Sequence, residues 1–407
     1  AFRAPCSSRA CQEEMMRKTL SPSSRLVGAL LLALAMPLAA QTEPADDPEA
    51  MEEMAADEAY GEEPGMDEGG EAIAANDPSI LDAEQMPRAA RSLLLDVVRT
   101  PAGFFAAGER GHVLASEDGQ SWSQLRIPTR STLTTIASYD GVLWAAGHDG
   151  VIVHSTDGGQ TWSRRRAAPW TQDTFDPSEG VPILDLLFVD GMNGYAIGAY
   201  ALMLVTHDGG VSWEPRTVVQ PGEDEAEEEI VQADEDSWTF DAADLELDAE
   251  ADPHLNAIAR TDDGSLVVVG ERGAFFRSTD GGETWEQKRL PYEGSMFGIL
   301  AWGERHLLAF GLRGNVLESH DLGDTWTAVD TGTTTSLVGG TALPDGGAVL
   351  VGGNGLVLIR QDGNSPFVQH RYENQAGESP SLVAVLPDGQ DGYVLVGDKG
   401  AGLYRPQ

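Results

Sequence analysis

A Gly-x-x-Gly tetrapeptide recurs along this chain, each time at the end of an apolar stretch. Copies begin at Gly108, Gly147, Gly270, Gly311, Gly352 and Gly397, with a broken copy at Gly198 where Ala201 replaces the second glycine. The residue ahead of the second glycine reads Arg110, Asp149, Tyr200, Arg272, Arg313, Asn354 and Lys399, so four of the seven are basic. A guanidinium grips a carboxylate through two parallel N–H donors, and a lysine supplies a mobile point charge. Gathered on one surface, such residues recognise acidic or carboxylate-bearing segments of a partner. Turn tips also favour polar residues of any kind, so the pattern alone equally admits a merely solvated set. With His148, which precedes Asp149, the candidate partner-binding residues are Arg110, His148, Asp149, Arg272, Arg313 and Lys399.

Catalytic chemistry finds less support. Leu125-Arg126-Ile127-Pro128 resembles the arginine-bearing signature of sialidases, but it recurs as Lys288-Arg289-Leu290-Pro291 and reads as the end of an outer strand. No Tyr–Glu pair stands out as nucleophile and base, so no catalytic residue is assigned. The eight histidines show neither H-x-x-x-H nor H-E-x-x-H spacing, so no metal ligand is assigned and no cofactor is expected. The run Asp241, Asp244, Glu246, Asp248 is rich in oxygen but lacks the glycine turn of a calcium-binding loop. Asp96 and Asp185 occupy one position in two apolar runs, where they either cap backbone N–H groups or face a channel and hold a cation or water.

These residues must be positioned by a repeat. Ser278-Thr279-Asp280-Gly281-Gly282-Glu283-Thr284-Trp285 recurs around Asp157 and Trp162, and around Asp208 and Trp213. Looser copies hold Asp118 with Trp122 and Asp321 with Trp326, and a worn one ends in Phe367. An aspartate can accept hydrogen bonds from backbone N–H groups further along a turn, glycine takes its positive φ, and the tryptophan packs beneath it. The pattern is similar to the Asp-box of bacterial neuraminidase repeats, and these ten Asp and Trp residues are read as structural.

A third marker is an apolar run of about five residues, first at Leu94–Val98 and then after each aspartate-turn tryptophan, as at Met296–Leu300. The interval is eleven residues after Trp122, Trp285 and Trp326, but 21 after Trp162 and 42 after Trp213. Two insertions at one place in the unit explain the difference. Seven units of about 41 residues result, each with four short strands separated by turns. The expected fold is all-β, a seven-bladed β-propeller of four-stranded blades. The seventh unit stops after its third strand, so Ile80–Met86 is expected to supply the missing strand and close the ring. Strand alternation then puts the Gly-x-x-Gly turns and both insertions on one face and the aspartate turns on the other.

The rest of the chain is not patterned this way. Residues 1–14 are expected to be a mis-assigned upstream extension, because Met15-Met16 followed by Arg17-Lys18 begins a secretory signal over 15–40. The two cysteines, Cys6 and Cys11, precede that start. Residues 41–78 read as an acidic disordered tail and 79–407 as the propeller, carrying an acidic insertion at 220–253. The formal charge of −40 excludes nucleic acid as a partner.

Ser92-Leu93-Leu94-Leu95-Asp96, the turns Gly108-Glu109-Arg110-Gly111 and Gly147-His148-Asp149-Gly150, and the five good aspartate turns together resemble the photosystem II stability and assembly factor family, especially its relatives in non-photosynthetic bacteria. The resemblance implies an exported, periplasmic or secreted, non-catalytic scaffold that assists a membrane complex, an exporter among the candidates. The expected partner is a protein, a membrane protein or complex met at the periplasmic face. The chain itself is expected not to span the membrane and to act as a monomer. The alternatives are a sialidase-like or other carbohydrate-active enzyme and a structural envelope protein.

Overall fold

Leu94–Thr100 and the first strands of the other repeats all begin with a bulge. Pairing skips one residue between Leu94 and Asp96, and the same skip recurs at Leu133/Thr135, Leu255/Ala257, Met296/Gly298, Leu337/Gly339 and Leu382/Ala384. In the third repeat, Ile183 and Asp185 pair with Gly198 and Ile197, leaving Leu184 unpaired. An extra residue at one place bends a strand and sharpens its twist. Seven equal bends suit seven sheets arranged around an axis.

The computed structural model describes residues 73–171, 179–219 and 252–406. The upstream extension, the signal, nearly all of the acidic tail, and insertion residues 220–251 lie outside them. Within the described residues six antiparallel sheets have four strands and the last has three, each running in chain order from its first strand. The first sheet comprises Leu94–Thr100, Gly103–Gly108, Val113–Ser116 and Ser123–Gln124. The first strand of each sheet packs against the first strands of both neighbours. Leu94–Thr100 meets Leu382–Pro387 of the seventh sheet, so the seven blades form a closed ring.

Second strands are buried along nearly their whole length, which is why Gly103-Phe-Phe-Ala-Ala-Gly108 and Leu266-Val-Val-Val-Gly270 read as continuous apolar runs and not as alternation. Both faces of each blade are covered by the next blades, giving seven apolar clusters, one per seam. The tryptophan of each aspartate turn enters the seam that its blade shares with the preceding one. Trp162 lies against Phe105 and Leu143, Trp285 against Tyr195 and Phe276, and Phe367 takes this place between blades five and six. The seam before blade seven lacks such a turn and is filled by Tyr372, Tyr393 and Tyr404. Trp144 is the largest fully buried side chain, stacked on Phe188 at 3.6 Å with its indole N–H donated to Gly209 O at 2.9 Å.

One expectation is corrected. Residues near Ile80–Met86 do not complete the seventh sheet, which ends at Gly400–Tyr404 with three strands. They run along the outer edge of the first blade instead. Ala83 N–H donates to Ile127 O and Arg130 N–H to Pro78 O, both at 2.8 Å, while Gln124 and Glu84 exchange a further bond at 2.8 Å. The third strand of blade seven is met by a single 3-10 turn, Ala89–Arg91. Ala89 and Ala90 pack with Ala401 and Leu403, and the turn comes so close that a Cβ on Gly400 would stand 2.0 Å from Ala90 O. The physical reason lies in the bonds available at that edge: Gln124 pairs with the backbone of Glu84 and Met86, Arg130 donates to Asp82 O, and Ala83 packs against the adjoining apolar cluster.

Candidate functional site

In a four-stranded antiparallel blade, the turn between second and third strands opens at the same end as the link to the next blade. The Gly-x-x-Gly turns therefore share one face with the links between blades, and the aspartate turns share the other. At six turn tips a non-glycine residue adopts a left-handed backbone: Arg110, Asp149, Tyr200, Arg272, Arg313 and Asn354 have φ between 51° and 57°. Gly111 shows why a glycine follows. Its φ is +70°, and a Cβ there would lie 2.0 Å from Thr129 O. Asp149 and Asn354 suit this geometry because their short polar side chains tolerate it, whereas an arginine gains nothing locally from it.

Arg110, Arg313, His148 and Lys399 are exposed, and Arg272 is half-buried. Arg110 and Arg313 form no side-chain hydrogen bond or ion pair among the described residues. Asp149 differs. Its carboxylate accepts the Ser131 hydroxyl at 2.5 Å, which ties the tip to the preceding link. Lys399 differs too, since Gly397 pairs directly with Gly400 across a two-residue turn and only the glycine has positive φ. At the Tyr200 tip, Ala201 N–H donates to Pro253 O at 2.9 Å, and the Tyr200 ring meets His254 edge-on at 4.9 Å. The chain thus returns from the acidic insertion onto this face.

The structure brings Arg110 together with two arginines that the repeat pattern could not reveal. Arg88, Arg91 and Arg110 line one open cleft of 340 Å³ with Met86, Ser92 and Glu109. Arg88 immediately precedes the 3-10 turn that meets blade seven, and Arg91 is the last residue of that turn. Their signal in the sequence was only a pair of basic residues after a long acidic stretch. Beneath the cleft, Ser92 Oγ donates to Ala89 O at 2.9 Å and approaches His112 Nδ1 at 3.3 Å. Burial pushes the His112 imidazole below its ordinary range, with Glu109 opposing and Arg110 reinforcing the shift.

On the opposite face the aspartates act within their own turns. Asp157 accepts the Thr161 hydroxyl at 2.6 Å and its N–H at 2.9 Å, while Ser155 Oγ accepts Gly159 N–H at 2.9 Å. Asp208, Asp280 and Asp321 repeat the pattern with Ser212, Thr284 and Thr325. These bonds, the hydroxyl first, hold all four carboxyls down at about 2. In the shortened copy, Asp118 accepts Gln120 and Ser121 N–H groups, both at 2.8 Å. Arg126 is exposed on the outer edge, away from the cleft.

Asp96 and Asp185 cap backbone N–H groups of neighbouring blades. Asp96 accepts Ile136 N–H at 2.8 Å and Asp185 accepts Ile258 N–H at 2.9 Å. Thr135 Oγ1 stands between them, 3.2 Å from Asp96 and 3.4 Å from Asp185. Both keep some access to water at the innermost strands, yet are enclosed by protein away from bulk solvent. Burial pushes Asp96 up to about 6 and Asp185 up to about 7, the charge of Asp96 adding to the second shift.

Fold and site define a seven-bladed propeller with a basic cleft at one face and self-contained aspartate turns at the other. Residues 84–296, more than half of the chain, match the family described as DUF6242 beta propeller domain, and the chain belongs to that family. It is 29% identical over 257 residues to the photosystem II assembly lipoprotein Ycf48 of Synechococcus sp. (strain CC9902), spanning 57% of this chain and 74% of that one. A solved structure described as "YCF48 bound to D1 peptide" superposes with a TM-score of 0.55 at 18% identity, over 82% of this chain and all 100% of the other. The YCF48 structure from Cyanidioschyzon merolae gives a TM-score of 0.54 at 17% identity, over 79% and 98%. At such identities the structural likenesses speak for the fold.

Proposed function

We propose that this chain is an exported, non-catalytic assembly or stability factor for a membrane complex, binding an acidic, carboxylate-bearing segment of its partner in the cleft of Arg88, Arg91 and Arg110. One observation carries the reading. Arg110 sits at a solvent-facing tip with φ of 57°, a backbone that favours asparagine or glycine, and two further arginines line the same cleft. A residue held against its local preference, with its charge unspent on the fold, is what a binding site selects. Arg313 and Lys399 extend the basic character around the same face.

The family supports the same direction. The Synechococcus relative is named an assembly lipoprotein, which favours export and work at a membrane, and one solved relative is described with a bound peptide. Export would rest on residues 15–40, outside the described part of the chain. Among the described residues no helix is long and apolar enough to cross a membrane.

The reading is tested with a fluorescent acidic peptide ending in a free carboxylate, titrated into the protein and into an Arg91→Glu/Arg110→Glu variant. Exposed ion pairs are individually worth about 0–1 kcal/mol and are screened by salt, so the wild type is expected to bind more weakly as salt rises. The variant is expected to bind at least tenfold more weakly at low salt with unchanged melting. Equal affinity of the two proteins would overturn the assignment.

A sugar carboxylate is the other ligand that three arginines in one cleft suit. Against it, the lining holds no tyrosine, and its arginines come from turns at mid-blade and before the first strand. Release of product from a fluorogenic sialoside, abolished by Arg91→Ala, would favour the enzyme.

A further inference from the structure

On the face of the aspartate turns, blade five and blade six build a second cluster. His306 opens the strand His306–Gly311, Glu318 lies in Val316–Ser319, and His320 stands just beyond it. Leu307 pairs with Ser319 and Leu308 with Glu318, so extending the register sets His320 opposite His306. Residues two apart on a strand share a face, which puts Glu318 and His320 on one side with His306.

One donor atom from each of the three lies within 4.8 Å of the others. His306 Nε2 is 2.7 Å from Glu318 Oε1, and the two imidazole rings are 4.4 Å apart. Two of the three groups are held rigidly from behind. Arg360, only 2% exposed, donates to the Glu318 oxygens at 2.9 and 3.2 Å and to Gly346 O at 2.7 Å. The Trp302 ring stacks on His306 at 4.7 Å, with its own N–H donated to Leu343 O at 2.8 Å. His320 is exposed, with its ring tilted against that of His306.

We infer that His306, Glu318 and His320 bind a divalent transition metal of the zinc type. Two imidazoles and one carboxylate are the donor set of such borderline ions, whereas calcium and magnesium take oxygen. The ion would occupy the direction now taken by the hydrogen between His306 Nε2 and Glu318 Oε1, and the neutral imidazole would then carry its proton on Nδ1. Tetrahedral zinc with bonds of about 2.0–2.1 Å needs donors roughly 3.3 Å apart, so the 2.7 Å contact opens slightly while His320 moves in. Arg360 plays the part of an outer partner that orients a ligating carboxylate. Because it also cancels the charge of Glu318, the ion keeps its own charge and an open fourth position at the surface, suited to water or to a carboxylate. Contiguous histidine motifs miss this site, since its ligands come from two strands joined by a turn.

The full chain, stripped with a chelator, is titrated with zinc chloride by calorimetry, and its cobalt(II) spectrum is recorded. Glu318 anchors the buried Arg360 and its removal disturbs the fold, so the informative variant is the exposed His320→Ala. The expected result is one site per chain that weakens at least tenfold in His320→Ala, with loss of the tetrahedral cobalt bands, and that is unchanged in His370→Ala. Absence of such a site in the wild type, or equal affinity in His320→Ala, would overturn the inference and show Glu318 to be only an anchor for Arg360 and His306.

Discussion

Asp185 Oδ2 accepts the backbone N–H of Ile258 at 2.9 Å, so a carboxyl from the third blade fastens the innermost strand of the fourth. Asp96 does the same from the first blade to the second at Ile136. Only two of the seven inner strands carry this clasp; the equivalent positions in the last four are Ala257, Gly298, Gly339 and Ala384.

Burial of the two clasp carboxyls, which outweighs the clasp bonds themselves, gives the protein an unusual pH response. Both carboxyls are raised in the folded state, to about 6 and about 7, so the native protein binds more protons than the unfolded chain between the ordinary carboxylate range and those values. Their contribution is full at low pH and is lost as pH rises through the folded values. The four aspartates held at about 2 act oppositely, and their contribution is lost as pH falls below the ordinary range. Melting temperature is therefore expected to rise from about pH 8 to about pH 5 and to fall below about pH 4. Calorimetry over this range checks it, and Asp185→Asn should flatten the upper limb. A monotonic fall from neutral pH would contradict the assignment.

The turn at Trp285 separates packing from hydrogen bonding. Trp285 is 7% exposed within the seam of blades three and four. Its loss in Trp285→Ala is expected to cost about 3–5 kcal/mol, as for other large aromatics removed from a core. Ser278 Oγ accepts the buried Gly282 N–H at 2.8 Å, and Ser278→Ala leaves that donor without a partner at a cost of about 1–3 kcal/mol. Urea unfolding of the two variants should show the tryptophan as the larger loss.

Left-handed arginines should be replaceable with profit to stability. At Arg313, whose φ is 57° and whose side chain bonds to nothing in the described residues, Arg313→Gly removes strain. An L residue gives up roughly 1–2 kcal/mol in this region, and the flexibility of glycine in the unfolded chain returns part of it, leaving a net gain of up to about 1 kcal/mol. The same change at Arg110 should stabilise similarly while weakening acidic peptide binding. Thermal melts and the peptide titration together read both effects.

The lead-in segment makes two separable contributions to the ring. Residues near 78–86 cover the edge of blade one, and Ala89–Arg91 meets blade seven. A chain starting at Asp77 is expected to melt with the full-length protein, one starting at Met86 lower, and one starting at Ser92 many degrees lower still. Amide exchange at Gly400–Tyr404 should rise only in the shortest form. Equal melting of all three would mean that neither contact matters.

The sequence by itself determined the propeller and its seven-fold count, because the markers are local. A glycine with positive φ, an aspartate bonded within its own turn and an apolar second strand each report a backbone state through one residue type. The same periodicity placed Arg110, Arg272 and Arg313 at turn tips. What it could not decide was the company those residues keep. The missing strand of the seventh unit pointed Ile80–Met86 to the last blade, whereas bonds at Gln124 and Arg130, with Ala83 packed on the adjoining seam, hold it on blade one. Arg88 and Arg91 reached Arg110 through that placement. His306 met Glu318 and His320 through strand register, and Arg360 reached them across a seam from the next blade. Contacts between blades depend on shapes and charges far apart in the chain, and no spacing within one repeat encodes them.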